Sequence, residues 1–164
     1  MRPIILMVLA CAVLVGCSSG KFKRYNGPEV TQILVDKSDR KMWLLHEKRV
    51  LKEYDVDLGF APAGHKQFEG DGRTPEGIYR INRRNPNSRY HLSLGISYPN
   101  TKDVAFARAR GKSPGGEIFI HGGPRILAER NKADWTAGCI SVTDKEMETI
   151  YAMVNDGTLI YIKP

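Results

Sequence analysis

The sequence predicts a mainly β domain with attached helices, an α+β arrangement, on three observations. From Glu29 onward apolar residues alternate with polar ones at period two in short runs, charged or turn-forming residues separate the runs, and only two stretches shift to helical spacing. The runs VTQILVDK, KMWLLHE and RVLKEYDVDLG read as consecutive antiparallel strands. GIYRIN, YHLSLGIS, EIFIHG and TLIYIK extend the sheet system. A first helix is expected over Thr101 to Arg110. A second runs from Thr143 to Val154, where Thr143 and Glu146 have the capping-box spacing and Met147, Ile150, Tyr151 and Val154 share one face. Gly157 follows as a stop.

The N-terminus has a different character. One positive charge at Arg2 precedes an unbroken apolar run from Ile4 to Val15, and small residues follow, which is the shape of an export signal. The run is about a dozen residues where a spanning helix needs about 20. Its end, Leu14-Val15-Gly16-Cys17, resembles the lipobox of bacterial lipoproteins, in which the signal is removed and the cysteine lipidated; an ordinary secretory signal with an incidental cysteine is the alternative. The expected organisation is therefore a signal peptide over 1–16, a lipidated N-terminus at Cys17 with a polar tether to residue 28, and one folded domain over 29–164. The lipoprotein resemblance also implies membrane attachment through that lipid, on the periplasmic face of a bacterial envelope. Ser18 lacks the acidic retention feature and implies the outer membrane.

Charge and cysteine usage narrow the classes further. The net charge of +7 is spread along the chain, with no basic cluster interleaved with aromatics, so nucleic acid is not an expected partner. The chain has three cysteines, Cys11, Cys17 and Cys139. With Cys11 removed and Cys17 acylated, Cys139 has no disulfide partner in its own chain, in a compartment that oxidises thiols. Clustered Cys/His ligand spacing is missing, so no metal is expected, and no cofactor.

Chemistry concentrates in two segments. His121 ends the apolar strand EIFI and is followed by Gly122 and Gly123, a placement suited to a general base with room for substrate. Cys139 lies in DWTAGCISV, just ahead of the capped helix, whose dipole favours thiolate only slightly at that separation. His46, His65 and His91 stand without companions and read as surface or packing residues.

IFIHGG followed by TAGCI resembles the active-site signature of the L,D-transpeptidase (YkuD-type) family; His121 precedes Thr136 by fifteen residues, about the separation in that signature. GDGRTPEGIY resembles the family's Thr-Pro-x-Gly-Tyr/Phe element. YHLSLGISYPNTKD with DWTAGC resembles the branch of murein L,D-transpeptidase-like enzymes. The resemblance runs from about Glu29 to the C-terminus. It implies a YkuD-like β-sandwich catalytic domain with Cys139 as nucleophile, His121 as its base and the Gly122 carbonyl orienting the imidazole. Backbone N–H groups of Gly138 and Cys139 would form the oxyanion site, and Arg73 and Thr136 are candidate substrate contacts.

It further implies a cysteine acyltransferase of the peptidoglycan wall. The expected partners are stem peptides attacked at the third-residue, diaminopimelate carbonyl, and a wall-linked lipoprotein in the hydrolytic variant. Hydrolysis of the same bond, and wall binding without catalysis, stand as alternatives. Two departures bear on specificity: Ala137 where many members have histidine, and Ser141 where many have arginine or asparagine. Trp135 is expected to brace its loop against the core, and PRILAERNKADW is a lid or a connector.

Overall fold

A computed structural model describes residues 20–164, so Cys11, Cys17 and the expected signal, cleavage and lipidation lie outside the described residues. The first three strands, β1 (Gln32–Asp36), β2 (Lys41–His46) and β3 (Arg49–Asp55), form the expected antiparallel meander. β4 (Gly77–Asn85), β5 (Ser93–Ile96) and β6 (Phe119–His121) form a second antiparallel run, with α1 (Thr101–Arg108) between β5 and β6. The two-residue β7 (Ile140–Ser141), α2 (Asp144–Met153) and β8 (Leu159–Lys163) complete the chain.

Among the described residues eight strands join in the order β3-β2-β1-β8-β4-β5-β6-β7. The closing strand β8 lies parallel to β1 and antiparallel to β4, and so joins the two runs. The expectation of consecutive antiparallel strands, made for the first run, holds there. Two pairings are parallel, β1 with β8 and β6 with β7.

Alternation places Ile33, Val35, Met42, Leu44, Tyr79, Ile81, Leu94, Ile120, Ile140, Ile160 and Ile162 in one core. Met147, Ile150, Met153 and Val154 of α2 and its end pack into the same core. Burial of each such side chain contributes on the order of 2 kcal/mol. Both helices start at a capping box, Asn100 with Asp103 and Thr143 with Glu146.

The segment expected as a polar tether lies along α2. Lys23 Nζ donates to the Lys145 carbonyl and Thr149 hydroxyl and pairs with Glu148 at 3.3 Å, while Lys21 Nζ donates to the Pro86 carbonyl. Aromatic packing of Phe22 on Tyr151, with ring centroids 6.4 Å apart, supplies the apolar part of that contact.

Candidate active site

The parallel pairing of β6 with β7 sets the site. Ile120 stands opposite Ile140, and both are fully buried in the core. Side chains alternate along a strand, so Phe119 and His121 on β6, with Cys139 and Ser141 on the facing segment, share the other side of the ladder. His121 and Cys139 line one cleft of about 340 Å³ with Asn85, Ser88, Tyr90, Ser93, Glu117 and Phe119. A larger hollow of about 980 Å³ lies beside α1, among His65, Tyr79, Asp103, Phe106 and Tyr161, and contains neither group.

The imidazole of His121 is fixed on three sides. Its Nδ1 lies 2.7 Å from the Gly122 carbonyl oxygen, which can only accept, so Nδ1 carries the proton and Nε2 keeps its lone pair. Tyr90 stacks on the ring at 4.5 Å and 24°, and Trp135 meets it edge-on at 5.6 Å and 68°. Ser141 Oγ donates to the same Gly122 carbonyl at 3.3 Å, and the Gly122 N–H donates to the Tyr90 carbonyl at 3.0 Å. Burial lowers the His121 pKa from its ordinary value, and the Arg125 charge acts in the same direction against the opposing Gly122 hydrogen bond. The ring is therefore neutral at physiological pH.

Cys139 is half-buried, and its Sγ faces the Glu117 carbonyl at 3.6 Å. Burial pushes its thiol pKa up, partly offset by a hydrogen bond from the Phe119 backbone and by the charge of Lys66. A neutral imidazole and a protonated thiol thus line the same cleft.

The turn that carries Cys139 is held from behind by two other backbones. Thr136 N–H donates to Leu58 O at 3.1 Å and Phe60 N–H to Thr136 O at 2.8 Å. Gly138 has φ +133°, and a Cβ there would lie 2.7 Å from the Arg73 carbonyl oxygen. Only glycine allows so close an approach at that φ. Asp71 shapes the supporting loop: its carboxylate accepts from the N–H groups of Gln67, Phe68 and Arg73 and from Lys66 Nζ. The Thr74 hydroxyl accepts from the Gly59 N–H at 3.0 Å, which ties the GDGRTPEG stretch to the strand edge behind Cys139.

Three sequence expectations take different forms. The Thr136 hydroxyl donates to the Cys139 carbonyl at 2.7 Å and accepts from the Gly138 N–H at 3.1 Å, so this buried side chain shapes the turn rather than facing substrate. The same bond occupies the Gly138 N–H, leaving the Cys139 N–H as the remaining donor of that pair. Arg73 approaches the turn through its backbone carbonyl; its guanidinium points to the His65 carbonyl, 3.5 Å away, outside the cleft. Trp135 is buried against His121 and Tyr90, in the bracing position expected of it. Sequence reading missed Tyr90, Glu117, Phe119 and Asp144. Of these only Tyr90 carried any signal, as the aromatic opening a strand-like run. Asp144 accepts from the Gly123 N–H at 3.1 Å and from both terminal nitrogens of Arg125, which fixes the backbone just past His121.

The fold and this cleft define a β-rich domain with a neutral imidazole and a thiol on one sheet face. The family model described as YkuD, the L,D-transpeptidase catalytic domain, matches residues 30–162, and the chain belongs to that family. It is 30% identical over 118 residues to the Escherichia coli K12 protein described as "Putative L,D-transpeptidase YafK", a match covering 71% of this chain and 42% of that protein. The helical cell shape determining protein Pgp2 from Campylobacter jejuni superposes with a TM-score of 0.63 at 26% identity, over 85% of this chain and 50% of that one. Bdellovibrio bacteriovorus Bd1075 gives 0.56 at 27%, over 82% and 48%. An L,D-transpeptidase from Mycobacterium smegmatis shares the fold at 13% identity and a TM-score of 0.55, over 82% of this chain and 59% of that one. The chain spans about half the length of the first three relatives.

Proposed function

We propose that this protein is a cysteine-dependent peptidoglycan L,D-transpeptidase acting on stem peptides at the carbonyl of the third residue, a diaminopimelate. The observation that carries the reading is the His121 ring, kept neutral by burial and held by the Gly122 carbonyl in the tautomer with Nε2 unprotonated, on the same sheet face as Cys139. As Cys139 Sγ bonds to the substrate carbonyl carbon, its proton passes to His121 Nε2. The tetrahedral oxygen accepts from the Cys139 N–H. Collapse breaks the C–N bond beyond the third residue, and the imidazolium gives its proton to the departing amine, leaving a Cys139 thioester. An acceptor amine then gives a proton to His121 and attacks the thioester, and the thiol is restored. Water in place of the amine makes the same enzyme a hydrolase, either of a stem peptide or of a wall-linked lipoprotein.

Family membership and the site residues support this assignment of substrate class. The export signal and Cys17 support a lipid-anchored protein at the periplasmic face of the envelope, on the outer membrane. The test is digestion of purified murein with and without an added amine, read by mass spectrometry. Crosslinked or amine-adducted products indicate transfer, and shortened stems indicate hydrolysis. Undiminished turnover by Cys139→Ala sinks the mechanism. A carbapenem adduct seen by intact mass in the parent and missing from Cys139→Ala supports the thioester route.

A further inference from the structure

The rim of the cleft carries a charged pair that the mechanism does not use. Arg83 Nη2 and Glu117 Oε2 lie 2.9 Å apart, with side chains 50% and 77% exposed. Exposed pairs are usually weak and incidental, but several features of the backbone and its neighbours place this one. A break in the register of β4 between Ile81 and Arg83, where it pairs with β5, re-aims the Arg83 side chain. Its cross-strand partner is Gly95, and a Cβ there would lie 3.2 Å from Arg83 Cβ and 3.5 Å from Arg83 Nε. With that position empty, the guanidinium crosses β5 and lies 4.8 Å from the centroid of Phe119. Phe119 is the next residue in register, opposite Gly95 on β6, and lines the cleft with Cys139. Glu117 has φ +55°, a left-handed conformation uncommon for glutamate. Its carbonyl faces the Cys139 thiol while its carboxylate meets Arg83.

Beside the cleft is a second hollow of about 190 Å³, lined by Asn82, Arg83, Ile96, Tyr98, Glu117 and Ile118. Glu117 lines both spaces. A cation and an anion fixed 2.9 Å apart at the edge of a reactive cleft are complementary to a group bearing an ammonium and a carboxylate on one carbon.

We infer that Arg83 and Glu117 form a specificity subsite for a zwitterionic α-amino-acid end, with Arg83 taking the carboxylate and Glu117 the ammonium. The identity of the ligand rests on the proposed function: diaminopimelate carries such a zwitterion at the end of its side chain, while lysine at the same place has the ammonium alone. The subsite reads the third residue while its L-centre carbonyl faces Cys139. Gly95 gives Arg83 the room to reach it.

The experiment compares two synthetic stem tetrapeptides, with diaminopimelate or lysine as third residue, in two formats. Calorimetry with Cys139→Ala measures binding, and mass spectrometry with the active protein measures turnover. Expected is a preference for the diaminopimelate peptide of about tenfold, the scale of one charge-assisted contact. Arg83→Gln should bring the ratio of the two affinities to about one. Glu117→Gln should weaken the diaminopimelate peptide while a peptide N-acetylated at the far amine binds both proteins alike. Both positions are exposed, so neither change threatens the core.

Equal binding of the two peptides by the Cys139→Ala protein, or a preference that survives Arg83→Gln, overturns the subsite. If the preference holds in binding and neither peptide is turned over, the subsite stands and the transpeptidase reading fails.

Discussion

His121 Nδ1 and the Gly122 carbonyl oxygen are 2.7 Å apart, and the direction of that hydrogen bond fixes which ring nitrogen is free to accept a proton. Burial lowers the ring's pKa and Arg125 lowers it further, so the neutral form persists below the ordinary histidine value of about 6.5. The acid limb of kcat/KM should therefore lie below about pH 6.5 with a flat region through neutrality. A limb at or above that value contradicts the buried neutral base. The sign for stability follows from the same shift. The unfolded chain takes up the proton first as pH falls through about 6.5, so folding free energy from this group declines below that pH.

Removing the base should separate binding from chemistry. His121→Ala is expected to lower turnover by at least about 100-fold, the lower range for a general base. Cys139 in the parent should alkylate with iodoacetamide more slowly at pH 7 than a free cysteine, because burial holds its thiol above the ordinary range. The alkylation rate should climb only as pH passes about 8.5. Fast alkylation at neutral pH would indicate a preformed thiolate.

Gly138→Ala places a methyl group 2.7 Å from the Arg73 carbonyl at φ +133°. The strain is on the order of 1–3 kcal/mol, and the turn can relieve it only by moving Cys139. Turnover should fall by at least about 100-fold, the effect of a small misplacement of the reacting group. Urea unfolding should show a loss no larger than that strain.

Asp71 and Lys66 should behave as one unit. Burial alone would raise the Asp71 pKa, but hydrogen bonds from Phe68, Gln67, Lys66 and Arg73 outweigh it and hold the carboxyl below the usual range. Its contribution is present above about pH 3.9 and is lost as pH falls through its folded value. Asp71→Asn leaves the buried Lys66 ammonium without its partner and should cost about 3 kcal/mol by urea unfolding. Asp71→Asn combined with Lys66→Met should recover part of that loss.

Trp135 fills the space against His121 and Tyr90, yet its buried Nε1–H has no hydrogen-bond partner among the described residues. Trp135→Phe removes that donor and should cost less than about 1.5 kcal/mol, whereas Trp135→Ala should cost about 3–5 kcal/mol through the cavity it leaves. Similar losses for both in urea unfolding would show that the indole N–H contributes stability.

What the chain reveals before folding is what depends on neighbours in sequence. The strands of the meander and the Thr143–Glu146 cap follow from residues a few positions apart, and the structure has them where the pattern indicates. Strand β7 was illegible because Ile140 and Ser141 are too short a run to show a period. The parallel pairing of β1 with β8 joins segments more than a hundred residues apart and leaves no local mark. The tether's contacts leave no local mark either: Lys23 docks on α2, Lys21 reaches the Pro86 carbonyl, and Phe22 between them packs on Tyr151.

That His121 and Cys139 share one cleft was legible because chemistry restricts their types and spacing. Arg83 was not, since its position comes from a register break and the missing side chain of Gly95 across the ladder.

In the proposed mechanism the group that orients the imidazole is a peptide oxygen, and no codon change can delete it. Its position depends on Ser141, which donates to that oxygen, and on Asp144, which fixes the next peptide, while the Tyr90 ring stacks on the imidazole itself. Variation that weakens His121 indirectly should therefore fall at positions 90, 141 and 144, away from the codon for 121. A screen for loss of function would recover it there as graded, temperature-sensitive alleles, in contrast to the all-or-none phenotype at 121 or 139.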